Sequence, residues 1–248
     1  MARHDLLAAA TAVVITVVSS TAQAAHPMIT EDTGTQGAGN IELELGNAWT
    51  RSAGHHSFLF QPQLSYGVSP TIDLLVQPSW LTHSGDGTRE QGFGDTNVDA
   101  KWRFFGSAPW TLGLRAGLAA PTGQDDLGSV HHVSPHAILV IAADFTPFSF
   151  DANIGYARSP GDLGHRGDIL HASFAGLYAA NERLQLVLDT SVDSNSDATQ
   201  SDYLAVALVG VIYTVRPGLD LDLGYRARLN TAADPSQWLL GITCRGTP

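Results

Sequence analysis

Two sets of residues in this 248-residue chain carry chemistry in their type and spacing. The first is His171-Ala172-Ser173, an imidazole and a hydroxyl two residues apart, hence on one face of an extended segment. That pair is the beginning of a base–nucleophile arrangement. Catalysis would also need an orienting carboxylate, for which Asp189 and Glu182 are candidates, and an oxyanion site. A polar pair facing a wet interior accounts for the same spacing, and no enzyme activity is expected. The second set is a dispersed series of histidines, His55, His56, His83, His131, His132 and His165, with His136 close by. Imidazoles can ligate zinc, copper or nickel. Their spacings match no defined site, so neither a metal nor a cofactor is expected. The single cysteine, Cys244, can form no internal disulfide.

The more informative charges alternate with apolar residues. In Ile41-Glu42-Leu43-Glu44-Leu45 the apolar side chains fall on one face and the carboxylates on the other. In the segment 96–104, Val98, Ala100, Trp102 and Phe104 oppose Asn97, Asp99, Lys101 and Arg103. Arg115 lies opposite Trp110, Leu112, Leu114, Ala116 and Leu118; Asp151 and Asn153 lie opposite Phe148, Phe150, Ala152, Ile154 and Tyr156. The segment 219–229 repeats the pattern with Arg226 and Arg228. Charged side chains gathered on one face of every strand line a closed cylinder and set what passes through it. The lumen candidates are therefore Glu42, Glu44, Asp73, Asp99, Lys101, Arg103, Arg115, Asp151, Asp189, Arg226 and Arg228, with Asp144 beside them. Mutual pairing that fills the interior is the alternative use of the same residues.

The elements that must position these charges are strands. About twelve period-two segments recur, at 40–50, 56–67, 71–82, 95–105, 109–120, 135–145, 148–158, 169–179, 183–193, 202–215, 218–229 and 236–245. Each is close to the ~9–11 residues of a tilted strand crossing a bilayer. The segment from Tyr203 to Tyr213 is apolar on both faces, and its facing is ambiguous. Short connections such as Ser69-Pro70 and Arg216-Pro217-Gly218 alternate with long ones at 83–94, 121–134 and 159–168. That alternation is the signature of an outer-membrane barrel with short periplasmic turns, an even strand number and both termini on one side. Aromatic residues near strand ends, among them Trp49, Trp80, Trp110, Phe145 and Trp238, suit the two interfacial girdles.

Composition agrees. Only 15% of residues are charged and 44% are hydrophobic, with 25 Gly and 12 Pro to punctuate. The net charge of −11 offers no basic patch for phosphates, so nucleic acid is not an expected partner. A basic start at Arg3, an apolar run from Leu6 to Val18 and Ala22-Gln23-Ala24 read as a cleaved secretory signal peptide over 1–24. Residues 25–39 form a polar segment that is either periplasmic or a plug in the barrel mouth, and 40–248 form the barrel.

The mature start, His26-Pro27-Met28-Ile29-Thr30-Glu31-Asp32-Thr33-Gly34-Thr35-Gln36-Gly37 followed by Gly39-Asn40-Ile41-Glu42-Leu43-Glu44, resembles that of the MetA-pathway phenol-degradation family of bacterial outer-membrane proteins. Tyr66-Gly67-Val68, Gly92-Phe93-Gly94-Asp95, Lys101-Trp102-Arg103-Phe104, Leu118-Ala119-Ala120-Pro121-Thr122-Gly123, Asn153-Ile154-Gly155-Tyr156, His171-Ala172-Ser173 and Leu219-Asp220-Leu221-Asp222-Leu223-Gly224 carry it through nearly the whole mature chain. The resemblance implies an outer-membrane barrel of a Gram-negative bacterium, described as a transporter or channel, with outer-membrane lipid, a small-molecule solute and the outer-membrane assembly machinery as partners. One departure stands out: barrels of this kind end in an aromatic residue, whereas this chain ends Ile242-Thr243-Cys244-Arg245-Gly246-Thr247-Pro248. The expected function is passive passage of small, aromatic or otherwise hydrophobic, solutes. The alternatives are a closed structural or adhesive barrel acting through its outer loops, and a membrane-embedded lipid hydrolase using His171 and Ser173.

Overall fold

A computed structural model describes residues 26–52, 54–124, 127, 132–158, 166–197, 199 and 202–247. The signal peptide expected over 1–24, parts of the loop 121–134 and most of the loop 159–168 lie outside these residues. Fourteen strands form one antiparallel sheet: β1(Ile41–Ser52), β2(His55–Ser69), β3(Ile72–Gln77), β4(Trp80–Gly85), β5(Thr88–Phe93), β6(Thr96–Ser107), β7(Trp110–Ala120), β8(Ser134–Phe145), β9(Phe148–Arg158), β10(Asp168–Ala179), β11(Leu184–Ser194), β12(Tyr203–Arg216), β13(Leu219–Arg228) and β14(Gln237–Gly246). Consecutive strands pair except at β3/β4 and β5/β6, where β2 pairs with both β3 and β4 and β3 pairs with β6; β1 pairs with both β2 and β14, so the sheet closes on itself. The last strand closes the barrel up to Ile41 against Gly246, without a terminal aromatic.

β3 with β4, and β5 with β6, each make one stave, giving a closed barrel of twelve. Two corrections follow. The stretch read as one strand over 71–82 breaks at Pro78-Ser79, where proline has no N–H to give the ladder. The facing stave breaks at Gly94-Asp95, and the two breaks bond to each other through Gly94 N–H to the Ser79 carbonyl at 3.0 Å. The stretch 83–94, read as a loop, is mostly a hairpin in which Gly85 pairs with Thr88 and Trp80 with Phe93. Its tip is turned by Asp86 and Gly87 with φ of 50° and 79°, the left-handed pair that a tight hairpin demands. Polar side chains on both faces of this extension hide its period.

The alternation of the sequence becomes an inside-out burial pattern. Leu64, Tyr66, Leu74, Val76, Val98, Trp102, Ile154, Leu188, Leu221 and Leu223 are exposed on the outer wall, whereas Glu42, Glu44, Asp73, Asp99, Asp151, Asp189 and Asp222 are buried on the inner one. Ile154 is 65% exposed and Asp189 is 1% exposed. A water-soluble barrel would arrange these the other way round. Cross-strand aromatic pairs, including Trp49–Phe58, Trp110–Phe145, Phe148–Tyr178 and Tyr225–Trp238, sit near strand ends on the outer face. The ambiguous strand β12 turns even-numbered residues inward: Leu208 and Ile212 are buried while Val209 and Tyr213 are exposed.

Ile154→Arg, at mid-strand on the lipid face, is expected to cost about 2–4 kcal/mol in urea titrations of the barrel refolded into lipid vesicles. An unchanged midpoint would mean that this face does not meet hydrocarbon.

Candidate functional site: the barrel lumen

The site is built by inward positions and by the segment that precedes β1. Residues 26–38 leave the sheet and run across the interior, held by side chains of the wall. His26 Nδ1 lies 2.5 Å from Asp222 Oδ1 on β13. On β11 one carboxylate, Asp189, accepts the backbone N–H groups of Ile29 and Thr30 and the Thr30 hydroxyl, at 2.6, 2.9 and 2.7 Å. On β9 the Asn153 amide pairs with both main-chain groups of Glu31: it accepts from the N–H at 2.7 Å and donates to the carbonyl at 2.9 Å. Near the short-turn end, Gln36 N–H donates to Asp73 at 3.0 Å and Gln36 Nε2 to Glu42 at 2.8 Å. A segment with no ladder of its own is thus held by carboxylates and amides of five strands, and its backbone groups between Ile29 and Gln36 are met on three of them, β3, β9 and β11.

Close approach is allowed by inward glycines. A Cβ on Gly46 or Gly241 would sit 2.8 or 2.4 Å from the His26 ring, and one on Gly224 would sit 2.9 Å from Pro27. At Gly67 the conflict is with backbone, 1.8 Å from the Gly37 carbonyl oxygen.

The centre of the site is an ion-pair network. Lys101 Nζ donates to Glu31 and Asp32, both at 2.7 Å. Arg115 reaches Glu31 at 2.5 Å and Asp99 at 2.6 Å, and His136 closes on the other Asp99 oxygen at 2.7 Å. All of these residues but His136 are buried. Burial pushes the Glu31 carboxyl up, but Lys101 and Arg115 outweigh it and hold the group down at about 2. A separate pair of bonds ties Arg245 to Glu42 at 2.5 Å and Asp220 at 2.6 Å near the short-turn end.

The sequence candidates fall into three groups. Glu42, Glu44, Asp73, Asp99, Lys101, Arg115, Asp151 and Asp189 are buried on the inner wall, and most of them bond the N-terminal segment or each other. Arg226 faces the lumen beside Gln237. Arg103 bonds the Pro70 carbonyl at the short-turn end at 3.1 Å, while Arg228 and Asp144 are exposed at strand ends. Sequence reading missed Asn153, Gln63, Asp220 and Asp222 as partners, and it missed Leu177, Val187, Leu208, Ile212 and Leu239, which form an apolar patch inside the lumen with Met28, Ile29 and Leu59 packed on it. The doubly apolar character of 203–213 was the available signal.

His171 Nδ1 lies 2.7 Å from Asp193, and its Nε2 lies 3.0 Å from the Ser173 hydroxyl. The orienting carboxylate is Asp193, not Asp189 or Glu182; Asp189 holds the N-terminal segment instead. Ser173 is buried and also bonds Asn153 at 3.3 Å, beneath Glu31. Among the histidines, His55, His56, His83 and His132 are exposed and His131 and His165 lie outside the described residues. Among the described residues no group of three or more His, Cys, Asp or Glu is placed to hold a metal.

Towards the long-loop end a cavity of about 530 Å³ remains open above the segment. Its floor is His26 to Ile29 and Glu31. One side is apolar, with Ala48, Leu59, Leu208 and Leu239; the other is polar, with Gln61, Gln63, Gln77, Asn97 and His136.

Comparison with known proteins agrees with this architecture. The family model for the MetA-pathway of phenol degradation matches residues 24–243. The COG4313 outer membrane channel from Pseudomonas putida F1 is similar with a TM-score of 0.68 at 15% identity, over 87% of this chain and 98% of that one. The NanC porin is similar with a TM-score of 0.55 at 12% identity, over 83% and 99%. No curated protein matches. The fold is that of an outer-membrane β-barrel, and the two solved structures named are a channel and a porin.

Replacing Lys101 by Met leaves Glu31 and Asp32 buried with one cation fewer. It is expected to weaken docking of the N-terminal segment by about 3 kcal/mol, seen as faster protease cleavage within 26–38 while the barrel stays intact. The part of the docking that Glu31 supplies should survive mild acid. A carboxylate with a lowered value contributes fully above its unfolded 4.5 and loses that contribution as pH falls towards about 2. Glu31→Gln should therefore speed cleavage by the same factor at pH 7 and at pH 5.

Proposed function

We propose, because this chain belongs to the MetA-pathway of phenol degradation family and its lumen keeps a half-apolar cavity, that the protein is a passive channel for small amphipathic or hydrophobic solutes. The cavity carries the reading. Its volume is that of a small-molecule site. A barrel that served only as a scaffold has no need of an apolar wall facing water, which costs free energy unless something apolar covers it. The inward carboxylates and cations would act here in two ways. Lys101, Arg115, Asp189 and Asp73 hold the segment 26–38 across the lumen as a plug; Glu44, Asp99 and Arg226, with Arg103 and Arg228 at the ends, line the path. The hairpin of β4 and β5 stands at the outer mouth, and the loops 121–134 and 159–168, parts of which lie outside the described residues, would gate it together with that hairpin.

The closed structural barrel keeps one observation in its favour, the plug itself. Passage and closure differ in conductance. In planar bilayers the full barrel is expected to give small, well-defined current steps, and deletion of residues 26–38 to enlarge them severalfold. A folded barrel that passes neither ions nor solutes in both forms overturns the channel. On this reading the buried Ser173 should hydrolyse no lipid or model ester. Hydrolysis that disappears in Ser173→Ala would make the barrel an enzyme.

A further inference from the structure

The cavity is lined by four carboxylates and two cations, and most of these charges are already engaged. Glu31 is held by Lys101 and Arg115, and Asp99 by Arg115 and His136. Asp193 bonds His171. Glu44 accepts from Gln63 Nε2 at 2.9 Å and from the His26 N–H at 3.4 Å. Arg226 is different. It is partly buried and lines the cavity, and among the described residues its side chain bonds Gln237 Oε1. Among the described residues no carboxylate is in ion-pair contact with it, whereas Lys101, Arg115 and Arg245 each hold two. Asp193 and Asp234 act on it from farther off.

Its surroundings define what would complete it. Arg226 is directly opposite Leu208 on β12 and Gln237 on β14. Leu239, two residues beyond Gln237 on the same inward face, continues the apolar patch through Ala48 to Leu59, with Met28 and Ile29 beneath. Two residues along a strand span about 7 Å, roughly the length of a ring carrying an acid group. A guanidinium with free N–H groups matches a carboxylate in charge and in its two-pronged geometry.

We infer that the lumen contains a binding subsite for a small apolar carboxylate, with the acid group on Arg226 and the apolar body on Leu208, Leu239, Leu59 and Met28. The inference rests on the channel reading for its purpose and names the solute class: an amphipathic monoanion such as an aromatic or short branched acid. Neither half suffices alone. A bare anion gains no contact with the patch, and a neutral analogue leaves the arginine unmatched. Arg226 is a specificity residue, set where a solute entering from the outer mouth first meets the apolar wall.

The test is equilibrium binding to the purified, folded full chain in detergent, with three probes: benzoate, benzamide and acetate. Wild type is expected to bind benzoate roughly ten- to hundredfold more tightly than either of the others. Arg226→Gln should bring benzoate down to the benzamide level and leave benzamide unchanged, and Arg226→Lys should recover part of the loss. Heat-modifiable migration on gels confirms that each variant is a folded barrel, and Arg183→Gln, in the exposed turn before β11, serves as a control that leaves benzoate affinity alone. Equal benzoate affinity in wild type and Arg226→Gln overturns the subsite. So does the absence of benzoate binding to folded wild type, or acetate binding as tight as benzoate. Conductance separates this from the channel. A barrel that conducts but does not select benzoate loses the subsite alone; one that binds benzoate and passes nothing loses the channel alone.

Discussion

A peptide group facing hydrocarbon has no water to bind, and each unpaired N–H or C=O there costs several kcal/mol. Closure of the sheet is the constraint from which the rest follows. β1 satisfies one edge on β2 and the other on β14, in register from Ile41 to Thr50, so no edge is left in the bilayer. Once the sheet is closed, the pleat divides every strand into a lipid-facing and a lumen-facing half, and the period-two pattern has one stable orientation. Even the interruption at Pro78-Ser79 obeys the constraint: it sits opposite the interruption at Gly94-Asp95, and the two bond to each other.

A closed barrel of twelve staves encloses more space than its own inward side chains fill. Here the chain's N-terminal segment fills the shortfall, and the chemistry of the filling is set by the wall. Buried carboxylates are expensive unless paired or bonded. Asp189 meets that demand by accepting three donors from Ile29 and Thr30. Glu31 meets it with Lys101 and Arg115, and each of those cations also reaches a second carboxylate. The wall and the segment are complementary in hydrogen bonding, so replacing either partner strands the other.

The barrel was legible in the sequence because a strand with one face in lipid and one in water writes its facing into every residue. Twelve staves could be counted from segments such as 96–104, where Trp102 and Lys101 leave no doubt about direction. Legibility failed where that two-solvent contrast fails. The hairpin 80–93 stands at the long-loop end with Thr82, His83, Arg89 and Glu90 along it, and it read as a loop for want of an apolar face. β12 meets lipid on one side and the apolar patch on the other, so both its faces are greasy and its register had to come from its pairing with β11 and β13. The course of residues 26–38 is not written in their own pattern at all. Its partners are dispersed over strands up to 196 residues away, as His26 and Asp222 show. The pairing of His171 with Asp193 was hidden for the same reason, since it depends on the β10–β11 register.

That dispersal bears on how the lumen works. The segment is fixed to the wall by side-chain bonds and by glycine contacts, while the sheet is fixed by its own ladder. The two sets of bonds are separate, so the segment can undock in a local opening that costs less than global unfolding. Undocking it breaks the bonds at Asp189, Asn153, Lys101 and Arg115 and leaves every strand pairing in place. The same event removes the floor of the cavity, because Met28 and Ile29 leave the patch formed by Leu208 and Leu239. On the channel proposal, a solute lying on that patch would touch the element that blocks its exit, and its contacts with Met28 and Ile29 would favour the docked form. Passage would then weigh those contacts against water entering from below once the segment lifts, with the ion pairs of Glu31 opposing that opening.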